Sequence, residues 1–129
     1  MKKIVLLILN LLLVVQVLKA QDDVLTNVKA QFKLGNAHEA ARYFNEIVEI
    51  SIDGEKGNYS KTQAEFVLRD FFKKHPPIDF QKLHQGSSRE GLTFMIGKYS
   101  CADVSYRVYI VVKSFKGTYL VDTIDFSKE

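Results

Sequence analysis

The chain has 129 residues, 47% hydrophobic and 26% charged, with a formal net charge of +3. Lys2, Lys3 and Lys19 account for that excess, so beyond residue 20 the 18 basic residues become 15 (18 less 3) and match the 15 acidic ones. A neutral domain without a basic stripe excludes the electrostatic footprint of a nucleic-acid or anionic-lipid binder, and the single cysteine, Cys101, excludes an intramolecular disulfide framework.

Lys2 and Lys3 open the chain as a basic n-region, and Ile4 to Leu18 follows as an apolar stretch broken only by Asn10 and Gln16. Lys19-Ala20-Gln21 places a small residue at a cleavage point, although Leu18 is larger than a small-x-small rule prefers. The rival reading, a membrane anchor, is short. An apolar run of about 15 residues at ~1.5 Å each spans about 23 Å, against a hydrocarbon core of ~30 Å. The sequence therefore predicts a signal peptide over residues 1–20 and one domain over 21–129. The product is expected to be periplasmic or secreted, with no membrane segment after cleavage. No cysteine lies in the signal region, so lipid acylation is not expected.

Asp22 to Leu34 reads as a helix with Val24, Leu25, Val28 and Phe32 on one face, ended by Gly35. Asn36-x-x-Glu39 has the form of a capping box and starts a short second helix whose packing face is Ala37, Ala40, Ala41 and Phe44. Glu46 to Ile52 alternates on a period of two and predicts a half-buried strand. Asp53 to Asn58 reads as a turn or loop by composition, without the oxygen-ligand spacing of a calcium loop. Ser60-Lys61-Thr62-Gln63 is a second capping box, with Tyr59 in the staple position. It opens a third helix with Ala64, Val67, Leu68, Phe71 and Phe72 as an apolar stripe. Lys73-Lys74-His75 closes that helix, where cations complement the dipole, and Pro76-Pro77 stops it.

From Ile78 the pattern is β. Strands are expected over Ile78–Gln85, Leu92–Ser100, Val104–Phe115 and Thr118–Phe126, with Gly86–Gly91, Cys101–Asp103 and Lys116-Gly117 between them. The run Val104 to Ser114 is the richest in β-branched and aromatic residues, which marks the central strand. With Lys116-Gly117 as a two-residue turn, Phe115 pairs with Thr118, Lys113 with Leu120, Val111 with Asp122 and Tyr109 with Ile124. One face then carries Tyr106, Val108, Ile110, Val112, Tyr119 and Val121. The other carries Arg107, Tyr109, Val111, Phe115, Leu120, Ile124 and Phe126. Both faces are apolar, and helices can cover only one.

The order helix, helix, strand, helix, then four strands resembles the cone-shaped α+β fold (cystatin-like in outline) of the nuclear transport factor 2-like superfamily. Within it, the chain resembles an uncharacterised family of small exported proteins from Gram-negative bacteria. The residues that carry this resemblance include Gly35-Asn36-Ala37, Tyr43-Phe44-Asn45, Tyr59-Ser60-Lys61, Phe71-Phe72, His84-x-Gly86, Ile96-Gly97 and Tyr106-Arg107-Val108. The resemblance implies a curved antiparallel sheet packed against three helices of the N-terminal half. Enzymes of the superfamily, such as ketosteroid isomerase, place an acid or base and a tyrosine inside the cone. This sequence has no matching Asp-Tyr constellation, so no catalytic residue carries over.

Asp122 interrupts Leu120, Ile124 and Phe126. It reads either as a desolvated base in the cone or as a diagonal ion-pair partner of Lys113. His84 reads as a proton shuttle or as a hydrogen-bonded structural residue. His38, His75 and His84 share no ligand-like spacing, so neither a metal nor another cofactor is implied. Two functions follow. The first is an exported, non-enzymatic domain that binds a small apolar ligand, a peptide or a protein, a second copy included, through its cone or sheet face. The second is a lyase or isomerase acting through Asp122. Ligand contacts are expected from Tyr99, Tyr106, Tyr109 and Asp122 in either case.

Overall fold

The computed structural model describes residues 1–88 and 91–129, with the side chains of all but 17–19, 21 and 22. Arg89 and Glu90 of the expected Gly86–Gly91 loop, and the side chains of Leu18 and Gln21 at the expected cleavage point, lie outside the described residues. In chain order the elements are α1 (Lys2–Leu34), α2 (Ala37–Ala41), β1 (Phe44–Ile52), β2 (Glu55–Ser60), α3 (Lys61–Lys74), β3 (Asp79–Ser87), β4 (Thr93–Ser100), β5 (Ser105–Phe115) and β6 (Thr118–Lys128). The fold is α+β: three helices lie on one face of a six-stranded sheet ordered β2-β1-β6-β5-β4-β3.

Helix α1 has two halves of different character. From Ile4 to Val15 its large apolar side chains are between 53% and 69% exposed. Farther on, Leu25, Val28 and Phe32 are buried, because the 3.6-residue period brings them onto the sheet. The helix stops at Gly35, whose φ of 68° is open to glycine without strain. Asn36 N–H donates to Gln31 O and Gly35 N–H to Phe32 O, the paired bonds of a Schellman motif. Asn36 then caps α2 by accepting from Glu39 N–H at 3.1 Å. The reciprocal half of the expected box is absent, since Asn36 N–H is already committed to Gln31 and Glu39 turns to Arg42 at 3.0 Å. At α3 both halves of the Ser60–Gln63 box form, each at 3.2 Å.

The sheet departs from the expected one in three ways. It has six strands rather than five, because Asp53-Gly54 is a two-residue turn that pairs Ile52 with Glu55 and makes Glu55–Ser60 a strand. Both turn residues have positive φ, 50° and 87°, as a right-twisting hairpin requires. The sheet is mixed rather than wholly antiparallel, since β1 runs parallel to β6. Finally, Ser87 extends β3 into the expected loop. The strand read as central does lie inside the sheet, between β4 and β6.

Register decides the faces. Phe115 pairs with Thr118 and Lys113 with Leu120, as the two-residue turn at Lys116-Gly117 dictates. Beyond them a bulge intervenes: Val112 faces Val121 and Val111 faces Thr123, leaving Asp122 as the extra residue. Tyr109 therefore pairs with Asp125 rather than Ile124, and Ile124 and Phe126 turn toward the helices, where both are fully buried. A one-residue slip exchanges the faces of everything beyond it. The helix side thus gains two large side chains that the unbulged register sends to the other face.

Candidate functional site

The helix side of the sheet is filled by aromatic rings. Phe32 lies 5.3 Å from Phe72, 5.6 Å from Phe80 and 6.0 Å from Phe126. Phe71 reaches Phe126 at 4.1 Å and Tyr99 at 5.5 Å. Gly97 belongs to this packing: a Cβ there would overlap the Phe80 ring, so a glycine within β4 is what lets Phe80 lie across it.

At one end of this core the sheet grips the end of α3 through a single residue, His75. Tyr99 Oη donates to the His75 carbonyl, and Cys101 Sγ approaches the same oxygen at 3.7 Å. Tyr106 Oη lies 3.3 Å from His75 Nε2, and the Phe71 ring lies 5.2 Å from the imidazole. His75 Nδ1 is buried without a hydrogen-bond partner. Burial, with Cys101 and Tyr106 nearby, pushes the Tyr99 phenol well above the ordinary tyrosine range. Burial raises Tyr106 as well, helped by Asp53, Cys101 and Asp103. Cys101 is raised by burial and by Asp103, which makes it a poor thiolate rather than an activated nucleophile. These groups latch a helix end to a sheet.

The four expected ligand residues do not converge. Tyr99 and Tyr106 are directly opposed on adjacent strands and buried on the helix side. Tyr109, 38% exposed, lies on the solvent side. Asp122 sits at the bulge beside Val112, six residues from Tyr106 along β5, which is about 20 Å of strand. Asp122 pairs with Lys113 at 3.1 Å and accepts from Thr123 Oγ1 at 3.1 Å, the diagonal ion pair of the structural reading. His84 is exposed on edge strand β3, with its ring 5.8 Å from Phe94. Three open surface grooves have volumes of about 430, 580 and 620 Å³, and none is lined by Tyr99, Tyr106, Tyr109 or Asp122. The acid-and-tyrosine arrangement a lyase would need is therefore not assembled among the described residues.

The solvent side of the sheet carries a different constellation. Pairing sets Thr123, Val111 and Phe94 abreast, then Asp125, Tyr109 and Ile96, then Ser127, Arg107 and Lys98. Phe94 and Tyr109 touch with centroids 5.6 Å apart. Phe94 also lies over Gly86, where a Cβ would approach the ring to 2.7 Å. The central residues here that the sequence did not single out are Phe94, Lys98 and Asp125. Their alternation in β4 and β6 was visible, but the face of Asp125 depends on the bulge.

The chain belongs to a family defined by a domain of unknown function, DUF4783, which it matches over residues 25–127. A DUF4783 family protein from Bacteroides ovatus is similar to it at 28% identity, covering 80% of this chain and 93% of that one, with a TM-score of 0.76. One from Bacteroides uniformis is similar at 28% identity, covering 81% and 95%, also with a TM-score of 0.76. An NTF2-like protein of unknown function from Shewanella baltica shares the fold at 12% identity, covering 89% and 95%, with a TM-score of 0.66. No curated protein matches the chain. The nuclear transport factor 2-like resemblance read from the sequence holds at the level of the fold.

Proposed function

We propose that this chain is an exported, non-enzymatic domain that binds a protein partner through the solvent face of its sheet. The observation that carries this reading is the filled cone. Phe32, Phe72, Phe80, Tyr99 and Phe126 occupy the helix side that would otherwise hold a small ligand, and each is at most 5% exposed. Binding then falls to the outside of the sheet, where Tyr109, Phe94 and Ile96 form an apolar centre edged by charge. Aromatic centres with polar rims are the usual anatomy of protein contacts.

Export is supported by the first half of α1. A helix this apolar, with Ile4 to Val15 uncovered by the fold, is suited to a translocation signal rather than to a core. Among the described residues no helix is long and apolar enough to cross a membrane. The mass of the chain recovered from the exporting cell tests this directly: loss of residues 1–20 supports export, and an intact N-terminus in the cytoplasm overturns it.

The binding reading is tested by a photo-crosslinking amino acid placed at Tyr109 in the exporting cell. A protein adduct is expected there and none from the same group at Phe72. Equal silence at both positions overturns the sheet-face reading.

A further inference from the structure

We propose that the groove between α1 and edge strand β3 binds a small oxyanion, carboxylate or phosphate, at a site separate from the solvent face. The groove has a volume of about 430 Å³ and is lined by Thr26 from α1 and by Lys82, Gln85, Gly86 and Ser87 from β3. That volume falls within the range usual for small-molecule sites. The groove lies beside the ring-filled core rather than within it, and none of its lining residues is aromatic or acidic.

A bulge builds the β3 wall. Lys82 pairs with Gly97 and His84 with Ile96, which leaves Leu83 as the extra residue of the strand. Side chains alternate across a strand, so without the bulge Lys82 would stand on the opposite face from Gln85 and Ser87. With it, all three project to the helix side, as their partners Gly97, Met95 and Thr93 do. Thr26 faces them from α1. An ammonium, an amide and two hydroxyls therefore line one groove.

Lys82 supplies the open charge. Lys33, on the helix that carries Thr26, is taken up by Asp79 at 3.6 Å, whereas among the described residues Lys82 has no ion-pair partner. Thr93 supplies a second, independent sign. It stands across from Ser87, one strand farther in, and is 3% exposed, yet its Oγ1 has no hydrogen-bond partner among the described residues. Its other sheet neighbours on that side, Val112 and Met95, are apolar. Within the sheet, the groove is thus the side from which a partner can reach the hydroxyl. A cation and several neutral donors with no carboxylate among them match an oxyanion, which accepts from every one of them. A ligand oxygen reaching past Ser87 would also satisfy Thr93, whose buried hydroxyl otherwise costs stability.

Amide chemical-shift titration of the exported chain with acetate and with inorganic phosphate tests this, with chloride holding the ionic strength constant. Saturating shifts are expected at Thr26, Gln85, Ser87 and Thr93 with at least one of the two anions. Lys82→Met should weaken that binding by about tenfold and Thr93→Val by about threefold. Thr93→Val should also leave the thermal midpoint unchanged or raise it, because it removes an unsatisfied hydroxyl. Lower affinity in a chain that is no less stable separates a ligand contact from a structural one. Shifts that fail to saturate, that spread evenly over other lysines, or that persist at full affinity in either variant overturn the proposal. Glucose giving the same shifts as the anions overturns the oxyanion assignment. The crosslink at Tyr109 reads the sheet face alone, so the two proposals fail separately.

Discussion

On its helix side β5 presents Tyr106, Val108, Ile110 and Val112, none more than 2% exposed; on its solvent side it presents Arg107, Tyr109, Val111 and Lys113. The two sets alternate along one backbone, yet different forces hold them. Tyr106 of the first set packs against Phe71 of α3 at 5.0 Å and Phe126 of β6 at 6.4 Å, and the other three are buried in the same core. The second is held by its neighbours in the sheet, an aromatic contact and an ion pair at 3.1 Å among them. One side supplies stability; the other is the face we propose for a partner.

Substitutions separate the two sides. The largest expected effect is on the helix side: Phe126→Ala removes the ring that Phe32 and Phe71 pack against and should cost about 3–5 kcal/mol in chemical denaturation. Gly97→Ala tests the close approach of Phe80 and should cost about 1–3 kcal/mol through overpacking. A loss as small as that of a surface change would show that Phe80 is free to move. Next comes Tyr106→Phe, which removes the bond to His75 and should cost about 1 kcal/mol at neutral pH. Smallest is Tyr109→Ala, with no more than about 1 kcal/mol lost in folding but capture of a partner by the same crosslinker placed at the neighbouring Ile96 abolished. If Tyr109→Ala destabilised the fold as much as Phe126→Ala, the contrast between the faces would collapse.

Alkaline pH probes the same latch. Burial raises the phenols of Tyr99 and Tyr106 above their unfolded values, so folding favours the protonated form of each. That stabilisation is complete below the unfolded phenol pKa of ~10 and is lost as pH rises through the folded values. Stability measured by urea unfolding should therefore fall above about pH 10. Tyr106→Phe should make the fall shallower, and an unchanged slope would remove Tyr106 from the linkage.

The legible and illegible parts of this chain differ by the range of the interactions involved. The Ser60–Gln63 capping box and the glycine after α1 were readable because each is satisfied within a few residues. Lys116-Gly117 was readable as a turn because apolar strands flank it. Asp53-Gly54 adopts the same left-handed pair of conformations, but Glu55–Ser60 is polar and contains Gly57, so no alternation marked it as a strand. It becomes one because β1 offers it a backbone edge. His75 gave no signal beyond a helix-ending charge, since its partners lie 24 to 31 residues away. The expected cluster of Tyr99, Tyr106, Tyr109 and Asp122 failed for a related reason. Alternation alone already separates Tyr106 from Tyr109, and the bulge sets Asp122 apart from both.

The sequence by itself determined the second half of α1, the start of α2, helix α3, the antiparallel run from β3 to β6 and the fold family, and offered the Lys113–Asp122 contact as one of two readings of Asp122, because periodicity, caps and short turns are local properties. Tertiary structure decided the second hairpin, the parallel joint between β1 and β6 and the side on which Ile124 and Phe126 sit. The last of these matters most. The bulge at Asp122 shifts register by one residue, and with a side-chain period of two that shift moves two large apolar groups from the solvent face into the core. What remained outside is the smaller group of Phe94, Ile96 and Tyr109 on the solvent face.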